Sequence, residues 1–384
     1  MSKQPPSPAT PAKGFQLSSL LSLNTLLIFL PIALIARAAG WGDIAVFVLS
    51  SLAIIPLASL IGHSTEALAA KLGPTIGGLL NVTLGNAAEL IITIFALSKG
   101  LNDLVKASIV GSILGNLLLV LGTSFLIGGL RHGVQQFNRR NASTNSTLVI
   151  LSFLALAIPS AFDHALLGAE GGAGRELFFS EGIALVLIVL YGLSVLFSLR
   201  TPKDAPLIEI EKSVEEAAHE VHASSMSTPV ALGLLAFSTI GIVFMSEALV
   251  STVEAVGISL GLSEFFIGII IVPLIGNVAE HFVAIQVAFK NRMDLSVNIS
   301  LGSSLQIALF VAPVLVFISL LFPQKLVLVF SSYELLALGA AAVVAALVSL
   351  DGESNWMEGV QLLAVYVIFG LAFFLLPAVA GAVH

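Results

Sequence analysis

GNAAELIITIFALSKGLNDLVKASIVGSILGN, residues 85–116, and GNVAEHFVAIQVAFKNRMDLSVNISLGSSLQI, residues 276–307, are one passage written twice. The register runs without a gap over 85–126 and 276–317 at a constant offset of 191, with 13 of 42 positions identical. Leu and Val match cheaply between apolar segments. Gly85/Gly276, Asn86/Asn277, Glu89/Glu280, Lys99/Lys290, Asp103/Asp294, Gly111/Gly302 and Ser112/Ser303 do not. Upstream, at a shorter spacing, STEAL around Glu66 echoes MSEAL around Glu247. An internal repeat is the first thing a fold must explain.

The surroundings of this repeat define the class. The 384 residues are 57% hydrophobic and only 10% charged, where soluble domains carry about 25% charge. Mean hydropathy is +1.04. Cysteine is absent, which removes disulfides, thiolate chemistry, zinc fingers and iron–sulfur clusters. A net charge of −7 offers no basic surface for nucleic acid. The composition is that of an all-α polytopic membrane protein.

About 20 apolar residues cross the hydrocarbon as a helix. Eleven stretches qualify: 22–38, 44–62, 76–98, 106–130, 145–162, 179–199, 229–255, 264–289, 295–321, 330–349 and 358–380. With the N-terminus in the cytoplasm, eleven Lys and Arg fall inside and five outside, as the positive-inside rule favours. Residues 1–20 read as a polar, proline-containing disordered tail, with an uncleaved signal-anchor after it. The expected organisation is a tail (1–20), a first helix (21–40), a five-helix repeat (41–199), an acidic linker helix (200–228) and a second five-helix repeat (229–384). An odd number of helices per half inverts the second copy. Inverted repeats with a site at the midplane are the mark of secondary transporters.

Glu89 is the only charge within 76–98, and Glu280, with His281 beside it, is the only acid within 264–289 apart from Glu264 at its first position. A charge at a helix centre costs at least about 2.5–3.5 kcal/mol on insertion scales and points to function. Carried at matching places in both halves, it argues for one shared site. Asn86 lies three residues before Glu89 and Asn277 three before Glu280, one helical turn away. Ser112 and Asn116 share a face of the next helix, as do Ser303 and Gln306 in the second half. Carboxylates, amides and hydroxyls are hard oxygen donors, which suit calcium and, less exclusively, magnesium or manganese. Gly85, Gly276 and Pro273 weaken their helices just before the asparagines, and carbonyls freed there would add oxygen ligands. Two buried carboxylates cannot both stay ionised without a partner, so protons and a divalent cation would compete for them. Glu66 and Glu247 read as vestibule or gating groups or as solvated helix ends. His281 reads as a proton relay or as a hydrogen-bonding group between helices.

At these residues the chain resembles the calcium/proton exchanger family of the cation/calcium antiporter superfamily. The matching pieces are GNAAEL at 85–90, GNVAEH at 276–281, GSILGN at 111–116 and GSSLQIALFVAP at 302–313. The resemblance covers about residues 40–380. It implies one extra helix plus two inverted five-helix halves, and export of cytosolic calcium against protons by alternating access. Glu89 and Glu280 then correspond to the ion-coordinating pair, with Asn86, Ser112, Asn116, Asn277, Ser303 and Gln306 as polar neighbours. No resident cofactor is implied; calcium is the cargo, the lipid bilayer the surroundings, and an oligomer is compatible with the reading. Sodium/calcium exchangers of the superfamily carry a proline before the corresponding glutamate, where this chain has Ala88 and Ala279. That favours protons as counter-ion. Alternatives are a sodium-coupled calcium exchanger, an antiporter for manganese or another divalent cation, a channel, and a membrane enzyme. No H-E-x-x-H, G-x-S-x-G or phosphate-binding glycine motif supports the last of these. The expected location is a prokaryotic plasma membrane.

Overall fold

A computed structural model describes residues 23–72, 80, 83–167, 172–200 and 226–376, and these are helical almost throughout. The expected tail over 1–20 lies outside the described residues, as does the expected linker over 200–228 apart from its ends. After a short 3-10 turn come α1 (Phe29–Ala39), α2 (Asp43–Leu72), α3 (Ala87–Ser98) and α4 (Asn102–His132). The chain continues as α5 (Arg139–Leu167), α6 (Gly172–Arg200) and α7 (Thr228–Leu260). Then follow α8 (Glu264–Gly276), α9 (Val278–Phe289), α10 (Met293–Ser319), α11 (Ser332–Val348) and α12 (Trp356–Leu375).

The ends of these helices are written locally. Gly40 closes α1 at φ 66°, a left-handed conformation that costs glycine little. Ser331 with Glu334 and Asn355 with Glu358 form capping boxes that satisfy the first amides of α11 and α12. One pair of two-residue strands, Gln135–Gln136 (β1) with Glu353–Ser354 (β2), ties the loop after α4 to the loop before α12.

Among the described residues, seven helices are long and apolar enough to cross a membrane, and α8 with α9, bent by 62° at their junction, would make an eighth. Three shorter apolar helices accompany them, over Thr25–Ala39, Ala87–Ser98 and Ser332–Val348. The molecule is therefore a helical protein with many membrane spans.

Burial sorts the helices into an inside and an outside. In α4 and α10, 89% and 72% of the apolar window is buried, against 33% or less in α5, α6, α7 and α12. α4 carries no charge from 107 to 130 and has apolar residues on every face, and such a helix belongs in the centre. The outer helices present Val186, Ile240 and Ile368 to the surroundings. Side chains of this kind would be a liability in water and are ordinary lipid contacts in a bilayer. α2 packs along α7, while α10 packs against α5 and α9. That arrangement leaves the broken segments around Asn86 and Asn277 facing the two central helices.

Candidate ion-binding site

The site begins with two interrupted helices. Asn86 (φ −93°, ψ 19°) and Asn277 (φ −102°, ψ 3°) both leave helical geometry, and α3 and α9 start one residue later. Each glutamate thus sits in the first turn of its helix, where unpaired N–H groups favour negative charge. Pro273 contributes to the second break because it cannot donate to the carbonyl of Ile269 four residues back. A π turn over Ile267–Ile271 precedes it and shifts pairing to the fifth residue, one way of stepping past the missing donor.

α4 and α8 approach closely because glycine lines the crossing. A Cβ on Gly111 would strike the Ile269 carbonyl and lie 2.7 Å from Pro273 Cγ. A Cβ on Gly268 would lie 2.9 Å from both the Leu104 carbonyl and Ala107 Cβ. The carbonyl released by Pro273 therefore faces Gly111. The Pro273 carbonyl in turn accepts from both the backbone N–H and the side-chain amide of Asn277, at 3.0 Å each. These two oxygens, candidates for release into the site, are used in packing the break.

The side chains expected from the sequence do converge. Ser112 Oγ donates to Glu89 Oε1 at 2.9 Å and accepts from Asn277 Nδ2 at 3.1 Å. Ser303 Oγ donates to Glu280 Oε2 at 2.7 Å and accepts from Asn116 Nδ2 at 2.9 Å. Asn86 Nδ2 donates to Gln306 Oε1 at 2.8 Å, and the buried Asn86 Oδ1 has no hydrogen-bond partner among the described residues. Every one of these chains crosses from one half of the sequence to the other. The glycines complete the exchange: a Cβ on Gly276 would lie 3.0 Å from Glu89 Cγ, and one on Gly85 3.9 Å from Glu280 Oε1. Each carboxylate therefore rests against the opposite half's glycine.

The pairing is not fully symmetric. Asn277 serves Ser112, but its counterpart Asn86 turns to Gln306, and Asn116 serves Ser303 in its place. The offset of 191 puts Ile307 opposite Asn116 and Gly115 opposite Gln306, so each half supplies one polar group that the other lacks. Glu89, Asn86, Asn116, Asn277, Ser112, Ser303 and His281 are buried, while Glu280 and Gln306 are half-buried. Access to the site is consequently wider at Glu280.

His281 points toward Gly115, where an added Cβ would lie 3.8 Å from the ring, and its buried Nε2 has no hydrogen-bond partner among the described residues. Glu247 is turned to α1, where it pairs with Arg37 at 2.9 Å. Glu66 is half-buried on α2. Among the described residues no group of three or more Asp, Glu, His or Cys could hold a metal ion. A cation here would meet two carboxylates and neutral amide and hydroxyl oxygens. Sequence reasoning overlooked Thr93, whose hydroxyl bonds the Glu89 carbonyl at 2.6 Å, and the π turns at Gly115–Val120 and Ile307–Val311. Those turns occupy corresponding places in the two halves, the first containing Asn116 and the second following Gln306.

Residues 42–200 and 230–375 match the profile of the sodium/calcium exchanger protein family. The chain belongs to that family. Among curated exchanger relatives, the Ca(2+)/H(+) antiporter of Aphanothece halophytica is 43% identical over 94% of this chain and 99% of its own length. The Ca(2+)/H(+) antiporter ChaA of Bacillus subtilis is 44% identical over 90% and 96%. The solved structure of native YfkE shares 42% identity, covers 92% of this chain and 100% of its own, and superposes with a TM-score of 0.79. An H+/Ca2+ exchanger named CAX shares the exchanger fold, at a TM-score of 0.65 and 17% identity over 94% and 93%.

Proposed function

We propose that the chain is a secondary antiporter that moves Ca2+ out of the cytosol in exchange for H+. The observation that carries this reading is the meeting of Glu89 and Glu280, each on its own serine and each against the other half's glycine. The full-length likeness to two proteins named Ca(2+)/H(+) antiporters supports it. The two carboxylates would bind calcium or protons in turn, because a divalent cation and two protons neutralise the same charge. Asn86, Asn277, Ser112, Ser303, Asn116 and Gln306 would supply the neutral oxygens or hold the carboxylates in place. Calcium is cargo here, and the reaction is transport rather than catalysis.

On this reading the chain forms eleven spans, one extra helix followed by two inverted halves of five joined by the acidic linker. Its N-terminus is cytoplasmic and its setting a prokaryotic plasma membrane. Glu66 and Glu247 would stand at the vestibules, and the Arg37 contact would tie the second of them to the extra helix.

Calcium uptake into proteoliposomes tests the proposal, with an imposed pH gradient and, separately, an imposed sodium gradient. Uptake should follow the pH gradient and be lost in both Glu89→Gln and Glu280→Gln. Uptake driven only by sodium would assign the chain to sodium coupling. Wild-type rates in either glutamine variant would sink the shared site. Competition by manganese in the same assay reads selectivity among divalent cations.

A further inference from the structure

Away from the carboxylates, α10 carries a second line of hydroxyls. Ser296, Ser300 and Ser304 recur every four residues and so lie along one stripe, which reaches Ser303 one turn beyond Ser300. Helical serines commonly satisfy themselves on the carbonyl four residues back. Ser304 does so on the Ser300 carbonyl at 3.0 Å, and Ser152 of α5 on Leu148 at 2.8 Å. Ser296 and Ser300 do not: both are fully buried, and neither Oγ has a hydrogen-bond partner among the described residues. On α5, Asn145 is buried with both amide atoms unpartnered among the described residues, and the buried Ser146 Oγ is likewise unpartnered.

These groups lie at one level. α5 and α10 start side by side, where the Asn138 N–H donates to Asp294 Oδ1 at 2.8 Å. They meet again where Val149 and Ser152 line one cavity with Ser304. Asn145 and Ser146 fall between those two contacts on α5, as Ser296 and Ser300 do on α10. Successive hydroxyls one turn apart are separated by about 5.4 Å along the helix, roughly two hydrogen bonds of about 2.8 Å, so one water spans each gap.

At the matching positions the first half has no such line; its buried Ser108 and Ser112 lie on a different stripe of α4. At the offset of 191, Ser296, Ser300 and Ser304 correspond to Val105, Ile109 and Ile113. The same helix therefore packs in the same family of positions with apolar side chains, and the fold does not need the hydroxyls. Unpaired polar groups in an apolar interior cost several kcal/mol each, and ordered water ordinarily satisfies them.

We propose that Ser296, Ser300, Asn145 and Ser146 hold a file of water that carries protons between the Asn138–Asp294 end of the molecule and the Ser303–Glu280 pair. Each water passes one proton on and receives one, so a net proton moves with no other bond changing. No carboxylate lies on α10 or on 139–149 between Asp294 and Glu280's partner Ser303, so nothing along the file compensates a calcium ion for its hydration. The proton and the calcium then share a destination and differ in route. This inference rests on the antiporter reading above.

The test uses full-length protein in proteoliposomes and two assays: calcium uptake driven by a pH gradient, and exchange of radiolabelled for unlabelled calcium at equal pH. The second needs no proton movement. Valine and threonine have the same shape and differ in the hydroxyl. The double variant Ser296→Val/Ser300→Val should slow pH-driven uptake by about tenfold or more, because the groups that hold the water are gone. Its calcium/calcium exchange should stay near the wild-type rate, and Ser296→Thr/Ser300→Thr should retain both activities. Wild-type pH-driven uptake in the valine variant overturns the file. So does equal loss of both activities, which would place these residues in packing or on the calcium route, and so does failure of the threonine variant. Wild-type protein that exchanges calcium but ignores a pH gradient would overturn the antiporter reading, and the file with it.

Discussion

Gly276 and Gly85 hold matching positions but different clearances. A methyl on Gly276 would sit 3.0 Å from Glu89 Cγ, tighter than ordinary contact, whereas one on Gly85 would sit at 3.9 Å from Glu280 Oε1. Glu89 cannot retreat freely, because Ser112 holds its Oε1 at 2.9 Å and its surroundings are packed. Gly276→Ala is expected to raise the calcium concentration for half-maximal uptake several-fold, and Gly85→Ala to leave it near wild type. Equal effects in the two variants would show that the clearances do not matter. The acids, amides and serines of this site were legible in the sequence because a charge among apolar residues has few structural uses, and a charge repeated in register has fewer. Which amide serves which serine was not legible. That choice depends on how helices from opposite halves cross, and the repeat alone predicts a symmetric answer where the chain has an asymmetric one.

At the scale of the element, the crossing of α4 and α8 sets the depth of the site. Gly111 admits the Ile269 carbonyl, and any larger residue forces the helices apart. Overpacking of this kind typically costs about 1–3 kcal/mol. Gly111→Ala should therefore lower the melting temperature of the detergent-solubilised protein by several degrees and weaken calcium-driven stabilisation with it. Gly182→Ala on α6, where nothing lies within 4 Å of the added methyl, is the control and should not lower it. The breaks at Asn86 and Asn277 could be anticipated from Gly and Pro beside a polar pair. The π turn at Ile307–Val311 has a sequence cue as well, since it ends two residues before Pro313 just as Ile267–Ile271 ends two residues before Pro273. The one at Gly115–Val120 has no proline after it and shows only in the folded chain. The β1–β2 pair is equally silent in sequence: two residues per strand carry no period to read.

At the scale of the whole molecule, the many-span helical membrane class followed from apolar runs, since a bilayer admits few backbone solutions. The packing order did not follow from hydropathy: α4 and α12 have the same mean hydropathy, 2.0, yet 89% of one window and 17% of the other is buried. The proposed single site built by two halves makes a single thermodynamic prediction. If calcium binds between Glu89 and Glu280, it binds only the folded protein with both halves in place, so it should raise stability, by about 2.7 kcal/mol at a hundred times its dissociation constant. Binding requires ionised carboxylates. As pH falls, protons fill the same oxygens, apparent affinity drops, and the calcium-induced rise in melting temperature shrinks toward zero. If both acids must lose a proton, the drop approaches about a hundredfold per pH unit; if only one must, it approaches about tenfold. Glu89→Gln and Glu280→Gln should each remove most of the rise at every pH, because half a site from either repeat leaves a divalent ion uncompensated. A calcium effect that is independent of pH, or that survives in one of the two variants, would mean that the halves do not bind one ion together.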